Sequence, residues 1–232
     1  SYSSKYAQIV YNYPDAVLDI YGGNFLPAGQ CEWGGAILNQ GTTNVYGGHI
    51  YGDTNVKNTL EARGGTIYIL SGQVNLYGGT IHGGYATKGG AIYMDSSTLV
   101  IDGTTITGGE ASMGGNIYAD YLSQIEIKSG LIEHAASKNQ GGNLYLYTSA
   151  KDSVARDCSL VISGGTIQKG IAADRGSNIF VTTGTTNSGD WVITVTGGQI
   201  LGDADNIILR NNGQLQVRGG TITANGYSVQ FE

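Results

Sequence analysis

The chain has 232 residues, with 39 Gly, only 2 Pro, 13% charged residues and a formal net charge of −6. Glycine without proline or charge runs argues against disorder and against a collagen-like chain, and the negative charge argues against a nucleic-acid-binding face. No apolar run approaches the roughly 18 residues that cross a bilayer, so no membrane insertion is expected in this fragment.

Residues 1–16 carry no repeat and are predicted to form an N-terminal cap. From residue 17 to residue 232 a phrase close to Leu-Val-Ile-x-Gly-Gly-Thr-Ile recurs, as in Val74–Ile81, Leu160–Ile167 and Leu215–Ile222. A fixed internal period of roughly 28 residues is typical of a solenoid. The repeats begin near Leu18, Thr43, Val74, Leu99, Ile125, Leu160, Ile193 and Leu215.

Each repeat predicts three short strands. The first alternates apolar and polar residues, as in Leu99 and Ile101, so one face is buried. Gly-Gly then turns the chain, and one inward residue follows, such as Ile81 or Ile106. After a loop, a third strand places Ile67, Ile92 or their equivalents inward. Stacked in parallel, the repeats predict an all-β fold: a single-stranded parallel β-helix of about eight coils, with 1–16 as cap and 17–232 as the helix.

The Gly-Gly-Thr-Ile and Gly-Gly-Ala-Ile phrases resemble the right-handed parallel β-helix repeats of the pectate-lyase superfold. They are especially similar to the repeats of polymorphic outer-membrane proteins and of large bacterial surface adhesins. The resemblance covers about residues 17–231 and implies a right-handed helix, a bacterial origin and an extracellular or cell-surface location. It implies a fold more than a function, because this superfold carries lyases, hydrolases and non-catalytic adhesins.

Two columns of aromatic residues are expected on the outside of the helix. One follows the inward residue of the third strand; the other precedes the first Gly-Gly of each repeat. The first column contains Tyr68, Tyr93, Tyr118 and Tyr145, and the second contains Tyr21, Tyr46 and Tyr77. Exposed aromatic patches mark interaction sites, so both columns are candidate platforms for sugar rings or a protein partner. The alternative is that stacked tyrosines only stabilise the sheet.

Asn116, Asn143, Asn178 and Asn206 form a further column, predicted to be an internal asparagine ladder. Cys31 and Cys158 lie about five repeats apart, roughly 24 Å at strand spacing, so free buried thiols are expected. Neither the cysteines nor the three histidines have a metal-type spacing, so no metal and no cofactor is predicted.

Insertions in two consecutive repeats are expected to meet and to bring together Asp152, Asp157, Asp190 and Trp191. Such a cluster could form a saccharide cleft, with Asp157 and Trp191 as candidate binding residues, or a solvated loop. No two carboxylates stack along the outer positions of the first strand, and no catalytic residue is assigned.

The sequence therefore favours a non-catalytic bacterial surface β-helix that acts as a rigid adhesive stalk and binds a glycan or a host or partner protein through its tyrosines. A polysaccharide lyase or glycoside hydrolase with its site near Asp152, Asp157 and Asp190 is the alternative. A purely structural spacer is the third possibility. The chain stops inside a strand-like phrase, so we expect it to belong to a longer protein.

Overall fold

The computed structural model describes residues 3–54, 62–148, 157–184, 189–211 and 213–232. These residues form strands and turns without a helix, and hence without a helix that could span a membrane. The prediction of an all-β chain is confirmed.

The strands are short, as expected where glycine turns interrupt each repeat. The first ten are β1 (Ser3–Tyr6), β2 (Val10–Asn12), β3 (Val17–Ile20), β4 (Asn24–Phe25), β5 (Gln30–Trp33), β6 (Ile37–Asn39), β7 (Thr42–Val45), β8 (His49–Tyr51), β9 (Ile67–Leu70) and β10 (Gln73–Leu76). The next ten are β11 (Thr80–His82), β12 (Tyr85–Lys88), β13 (Ile92–Asp95), β14 (Thr98–Thr107), β15 (Glu110–Met113), β16 (Ile117–Asp120), β17 (Gln124–Glu133), β18 (Ala136–Gln140), β19 (Leu144–Thr148) and β20 (Cys158–Ile162). The last nine are β21 (Thr166–Gln168), β22 (Ile171–Ala172), β23 (Ile179–Thr183), β24 (Trp191–Val195), β25 (Gln199–Gly202), β26 (Ile207–Leu209), β27 (Gly213–Val217), β28 (Thr221–Ala224) and β29 (Val229–Phe231).

These strands form long parallel sheets, an arrangement compatible with a β-helix. Sheet 1 has two limbs. The first limb runs β3-β7-β10-β14-β17-β20-β24-β27, and the second contains β4, β8, β11, β21, β25 and β28, joined to the first through the long strands β14 and β17. Sheet 2 runs β2-β6-β9-β13-β16-β19-β23-β26-β29. Sheet 3 is smaller and contains β12-β15-β18-β22, with β1 and β5 forming a separate pair.

The predicted repeat register is confirmed across the first limb of sheet 1. Leu18 pairs with Thr43, Thr43 with Val74, and Val74 with Leu99, and the same column continues to Leu215. The residues expected to face inward fill one continuous apolar core that reaches from Ile20 to Leu209. We call one repeat of this stack a layer.

One feature of the layers differs from the prediction. The segment expected to be a loop between the second and third strands is a fourth short strand in several layers, and these strands form sheet 3. At the N-terminus, β1 pairs with β5 and β2 pairs with β6.

Gly-Gly precedes five consecutive strands of sheet 2, β6, β9, β13, β16 and β19, because the chain makes a sharp turn there. At Gly89 the backbone has a φ of 65°, in the left-handed region that favours glycine. A Cβ at this position would also overlap the carbonyl oxygen of Ile92. The repeated glycine is therefore a requirement of the turn.

The asparagine ladder is confirmed. The side-chain amide of Asn116 donates to Asn143 at 2.9 Å, Asn143 to Asn178 at 2.6 Å, and Asn178 to Asn206 at 2.7 Å. All four side chains are buried, and the remaining amide hydrogens bind main-chain carbonyls such as that of Gln168. Cys31 and Cys158 are free and buried, as expected.

Candidate functional site

One of the two tyrosine columns lies on the surface as predicted. Tyr21, Tyr46 and Tyr77 each follow a strand of the first limb of sheet 1 and expose 75%, 45% and 43% of their area. Their rings lie parallel, with centroids 5.0 Å apart for Tyr21 and Tyr46 and 5.3 Å apart for Tyr46 and Tyr77. The stacking follows directly from the register, since equivalent residues of adjacent layers are spaced by about 4.8 Å.

The stacked rings present a different surface from the flat aromatic platform that the sequence predicts. Tyr46 lies between Tyr21 and Tyr77, so both of its ring faces are occupied and its edge and hydroxyl point outward. Tyr21 stacks on Tyr46 alone among the described residues. Tyr77 likewise stacks on Tyr46 alone, so a sugar ring could stack on the outer ring face at either end of the column, and Tyr21 is the more exposed end.

A ladder of polar side chains runs beside these tyrosines on the same outward face. Asn44 donates a hydrogen bond to Asp19 at 2.8 Å, Asn75 donates to Asn44 at 2.8 Å, and Gln73 donates to Asn75 at 2.9 Å. The donors all point toward Asp19, whose exposed carboxylate ends the ladder. Because these bonds fix the side chains before any ligand arrives, little conformational entropy would be lost on binding.

A shallow polar groove of about 380 Å³ adjoins the ladder. It runs across the corner between sheet 2 and sheet 1, and Gln73 belongs to both the groove and the ladder. Its other polar walls include Asp15, Gln40, Ser71 and Ser96, and none of the described residues that line it is a lysine or an arginine. We call Tyr21, Tyr46 and Tyr77, the ladder from Asp19 to Gln73 and this groove the tyrosine face.

The prediction that the other tyrosine column is exposed is wrong. Tyr68, Tyr93 and Tyr118 each expose only 2% of their area, and Tyr145 exposes 7%. These side chains do point away from the main core, but they form a second apolar cluster together with Leu38, Phe180 and Ile208. Their rings stack from layer to layer, for example Tyr93 on Tyr118 at 5.3 Å.

The residues that cover this buried column come from the segment just before each Gly-Gly turn. Trp33 packs edge-on against Tyr68 at 5.8 Å. The guanidinium of Arg63 lies 5.4 Å from the centre of the Tyr93 ring, and the ammonium of Lys88 lies 4.9 Å from that of Tyr118. These are cation–π distances. A ligand could not reach the ring faces without displacing this cover.

An unbroken apolar column is the sequence signal that could have revealed this burial. From Leu38 through Tyr145 and Phe180 to Ile208, no charged residue interrupts it. The exposed column, in contrast, passes from Tyr77 to polar residues in later layers.

The loop cluster is brought together only in part. Asp157 and Asp190 do meet, because the main-chain N–H of Asp190 donates to the Asp157 carboxylate at 3.1 Å. Asp152 lies outside the described residues. Trp191 is not a surface residue: it sits in β24, fully buried in the core, so the prediction that it could contact a ligand is wrong. The alternation of β24 places Trp191, Ile193 and Val195 on the same inward face.

Sheet 2 contains a pair of carboxylates that the sequence reasoning missed. Asp95 and Asp120 end β13 and β16 and are register partners in adjacent layers. Burial raises the pKa of Asp120 and Asp95 adds to the rise, while the Lys88 ammonium opposes it. The Tyr93 hydroxyl lies 3.4 Å from Asp120. The signal was the recurring phrase Gly-Gly-x-Ile-Tyr-x-Asp in two consecutive repeats.

Comparison of the chain with protein-family models, with curated proteins and with solved structures finds no significant match.

Proposed function

We propose that this protein is a non-catalytic, extracellular bacterial surface domain that serves as a rigid adhesive stalk and binds a glycan through its tyrosine face. The observation that carries the proposal is the placement of three exposed, stacked tyrosines beside a preformed ladder of amides on one rigid sheet. Carbohydrate hydroxyls need donors and acceptors at fixed positions, and a sugar ring packs well against an aromatic face.

The charges of the face favour a neutral glycan. Asp15 and Asp19 are the ionisable groups of the groove and of the ladder. Uronic acids and sulfated sugars would meet these carboxylates, with no lysine or arginine to neutralise them among the described residues of the face, and like charges brought together cost binding energy. A partner protein with basic residues is the second ligand that this chemistry accepts.

The finer description of the fold belongs to the same proposal. We infer a right-handed β-helix of eight coils formed by residues 17–232, with residues 1–16 as its N-terminal cap. The eight-strand order of the first limb supports the coil number, and the right-handedness of parallel crossovers supports the hand. The pairing of β1 and β2 with the first full layer supports a covering role for the N-terminal residues.

A glycan array tests the binding proposal, with wild type, Tyr21→Ala and Tyr46→Ala measured together. We expect binding of wild type to neutral glycans and a loss of at least about tenfold in affinity for Tyr21→Ala, the size expected for an aromatic residue that dominates a contact. Tyr227→Ala is the matched control, because Tyr227 is 65% exposed and far along the chain from the tyrosine face. Equal binding by Tyr21→Ala, Tyr46→Ala and Tyr227→Ala would refute the assignment of the site.

A polysaccharide-active enzyme is the second candidate, and the raised pKa of Asp120 beside the Asp95 carboxylate favours it. Glycoside hydrolysis needs one protonated and one ionised carboxyl group. The earlier candidates Asp157 and Asp190 also lie in adjacent layers. Release of reducing ends or unsaturated products from neutral and acidic polysaccharides tests this function. Activity abolished by Asp120→Asn but not by Asp190→Asn would place it at sheet 2, and absence of turnover on all substrates would dismiss it.

A further inference from the structure

His49 and His82 lie side by side on the second limb of sheet 1, far from any metal-type spacing in the sequence. His49 begins β8 and His82 ends β11. In the register of these strands, Thr80 pairs with His49 and Tyr51 pairs with His82, so the two histidines are diagonal neighbours. Ile50 and Ile81 point into the core, and alternation places both imidazoles on the outward face.

The two imidazoles are held in place. The Nδ1 atom of His49 and the Nε2 atom of His82 are 3.2 Å apart. The Tyr51 ring stacks on the His82 ring, with centroids 4.2 Å apart and an interplanar angle of 3°. The main-chain carbonyl of His82 accepts a hydrogen bond from the Thr66 hydroxyl at 2.7 Å. Both histidines therefore lie on regular strands, and the Tyr51 ring packs against one face of the His82 ring.

We propose that His49 and His82 form a binding site for a divalent transition-metal ion of the Zn²⁺ type. Two imidazole nitrogens bound at about 2.0–2.1 Å to a tetrahedral zinc ion lie roughly 3.3 Å from each other, close to the separation in this structure. A small rotation of the rings turns both lone pairs toward a shared ion, which replaces the proton between the two nitrogens. Imidazole is a ligand that zinc, copper and nickel all accept.

In the part of the chain that the structure describes, no third His, Cys, Asp or Glu completes a cluster with this pair. Water fills the remaining coordination positions, and the affinity is that of a two-ligand site.

This inference is independent of the glycan proposal, because its residues lie outside the tyrosine face. The test is isothermal titration of Zn²⁺ into the full chain without a polyhistidine tag, with His49→Gln, His82→Gln and His134→Gln as variants. His134 is the matched control, because its ring contacts Glu133 at 3.2 Å and has no contact with the pair. We expect one equivalent bound by wild type and by His134→Gln, and a loss of at least about tenfold in each of the other two.

Circular dichroism of each variant shows whether the fold is retained, and both positions are on the surface, where glutamine is tolerated. Absence of binding by wild type would overturn the proposal. Binding that survives in both His49→Gln and His82→Gln, or that is lost in His134→Gln instead, would show adventitious association and would overturn it as well.

Discussion

At the scale of single residues, the buried asparagines show how a polar group can be required inside an apolar stack. Asn143 and Asn178 each accept from the preceding asparagine through the side-chain oxygen and donate to the next through the side-chain nitrogen. Main-chain groups bind the remaining amide hydrogens, so the polar groups buried at this corner are satisfied. The loss of an inner member removes one hydrogen bond on each side of it.

We therefore expect Asn143→Ala to lower the free energy of unfolding by about 2–4 kcal/mol, because it removes the acceptor of one buried Asn116 amide hydrogen and a donor to each of the Asn178 oxygen and the Gln168 carbonyl. Chemical denaturation measures the change. Asn139→Ala is the control: Asn139 is exposed, and a change within about 0.5 kcal/mol is expected there. Similar effects at both positions would contradict the account of the ladder.

The turn glycines lead to a second prediction at this scale. Gly89→Ala should cost more than about 2 kcal/mol of unfolding free energy, because the left-handed φ disfavours any Cβ and the Ile92 carbonyl blocks it. Gly22→Ala is the counterpart, since a Cβ there meets no atom within 4 Å and a change of at most about 0.5 kcal/mol is expected. Thermal or urea unfolding of the two variants side by side checks this difference, and an equal cost would be the unexpected result.

At the scale of elements, the buried tyrosine column joins sheet 2 to the segments that cover it. The column gives sheet 2 an apolar layer on both faces, which explains why its strands read as nearly continuous apolar runs. The phenol hydroxyls of this column are buried in the second apolar cluster, and burial raises the pKa of Tyr145 to about 12 from an ordinary value of 10.0. Burial also raises the pKa values of Tyr93 and Tyr118.

The raised pKa values of this column predict that the protein loses stability as the pH becomes strongly alkaline. A folded-state pKa above the unfolded value means that the folded state keeps its proton more tightly, so the stabilising contribution is complete below about pH 10 and is lost as the pH rises through about 12. Circular dichroism and tyrosinate absorbance followed against pH should show loss of structure and ionisation together in this range. Tyr145→Phe should weaken the dependence without loss of the fold, because Phe180 already occupies the same column one layer on. Ionisation of all tyrosines while the protein remains folded would contradict the burial of this column.

At the scale of the whole molecule, each layer contacts mainly the layer before and the layer after it. Stability is then close to a sum of layer terms and nearest-neighbour interfaces. The tyrosine face uses only the early layers, and the long sheets beyond it extend the molecule without adding to that face. This division fits a stalk that carries a binding face.

Deletion of one complete repeat tests this view. Removal of residues 81–105 joins Thr80 to Ile106, the register partner of Ile81, so every later strand keeps its column. We expect a folded protein with a cooperative transition and most of its unfolding free energy. Removal of residues 81–93 breaks the register and should give an unfolded or aggregated chain. Circular dichroism and size-exclusion chromatography distinguish the two, and folding of the second variant would contradict the layered account.

The repeat register, the inward columns and the asparagine ladder could all be predicted from the order of the amino acids. Each of these depends only on the position of a residue within the repeat. Ile81 and its equivalents Ile50 and Ile106 in the adjacent layers therefore all point inward. The outward direction of Tyr21, Tyr46 and Tyr77 follows in the same way.

What covers an outward-facing residue could be learned only from the folded chain. Tyr93 and Tyr118 point away from the core as alternation requires, yet Arg63 and Lys88 cover them, because the segment read as a loop lies against sheet 2. Trp191 fills the core at the start of β24, and His49 and His82 meet across two strands. Alternation fixes the direction of a side chain, but burial and chemical partnership depend on segments that are distant in the sequence, and these are placed only by the folded chain.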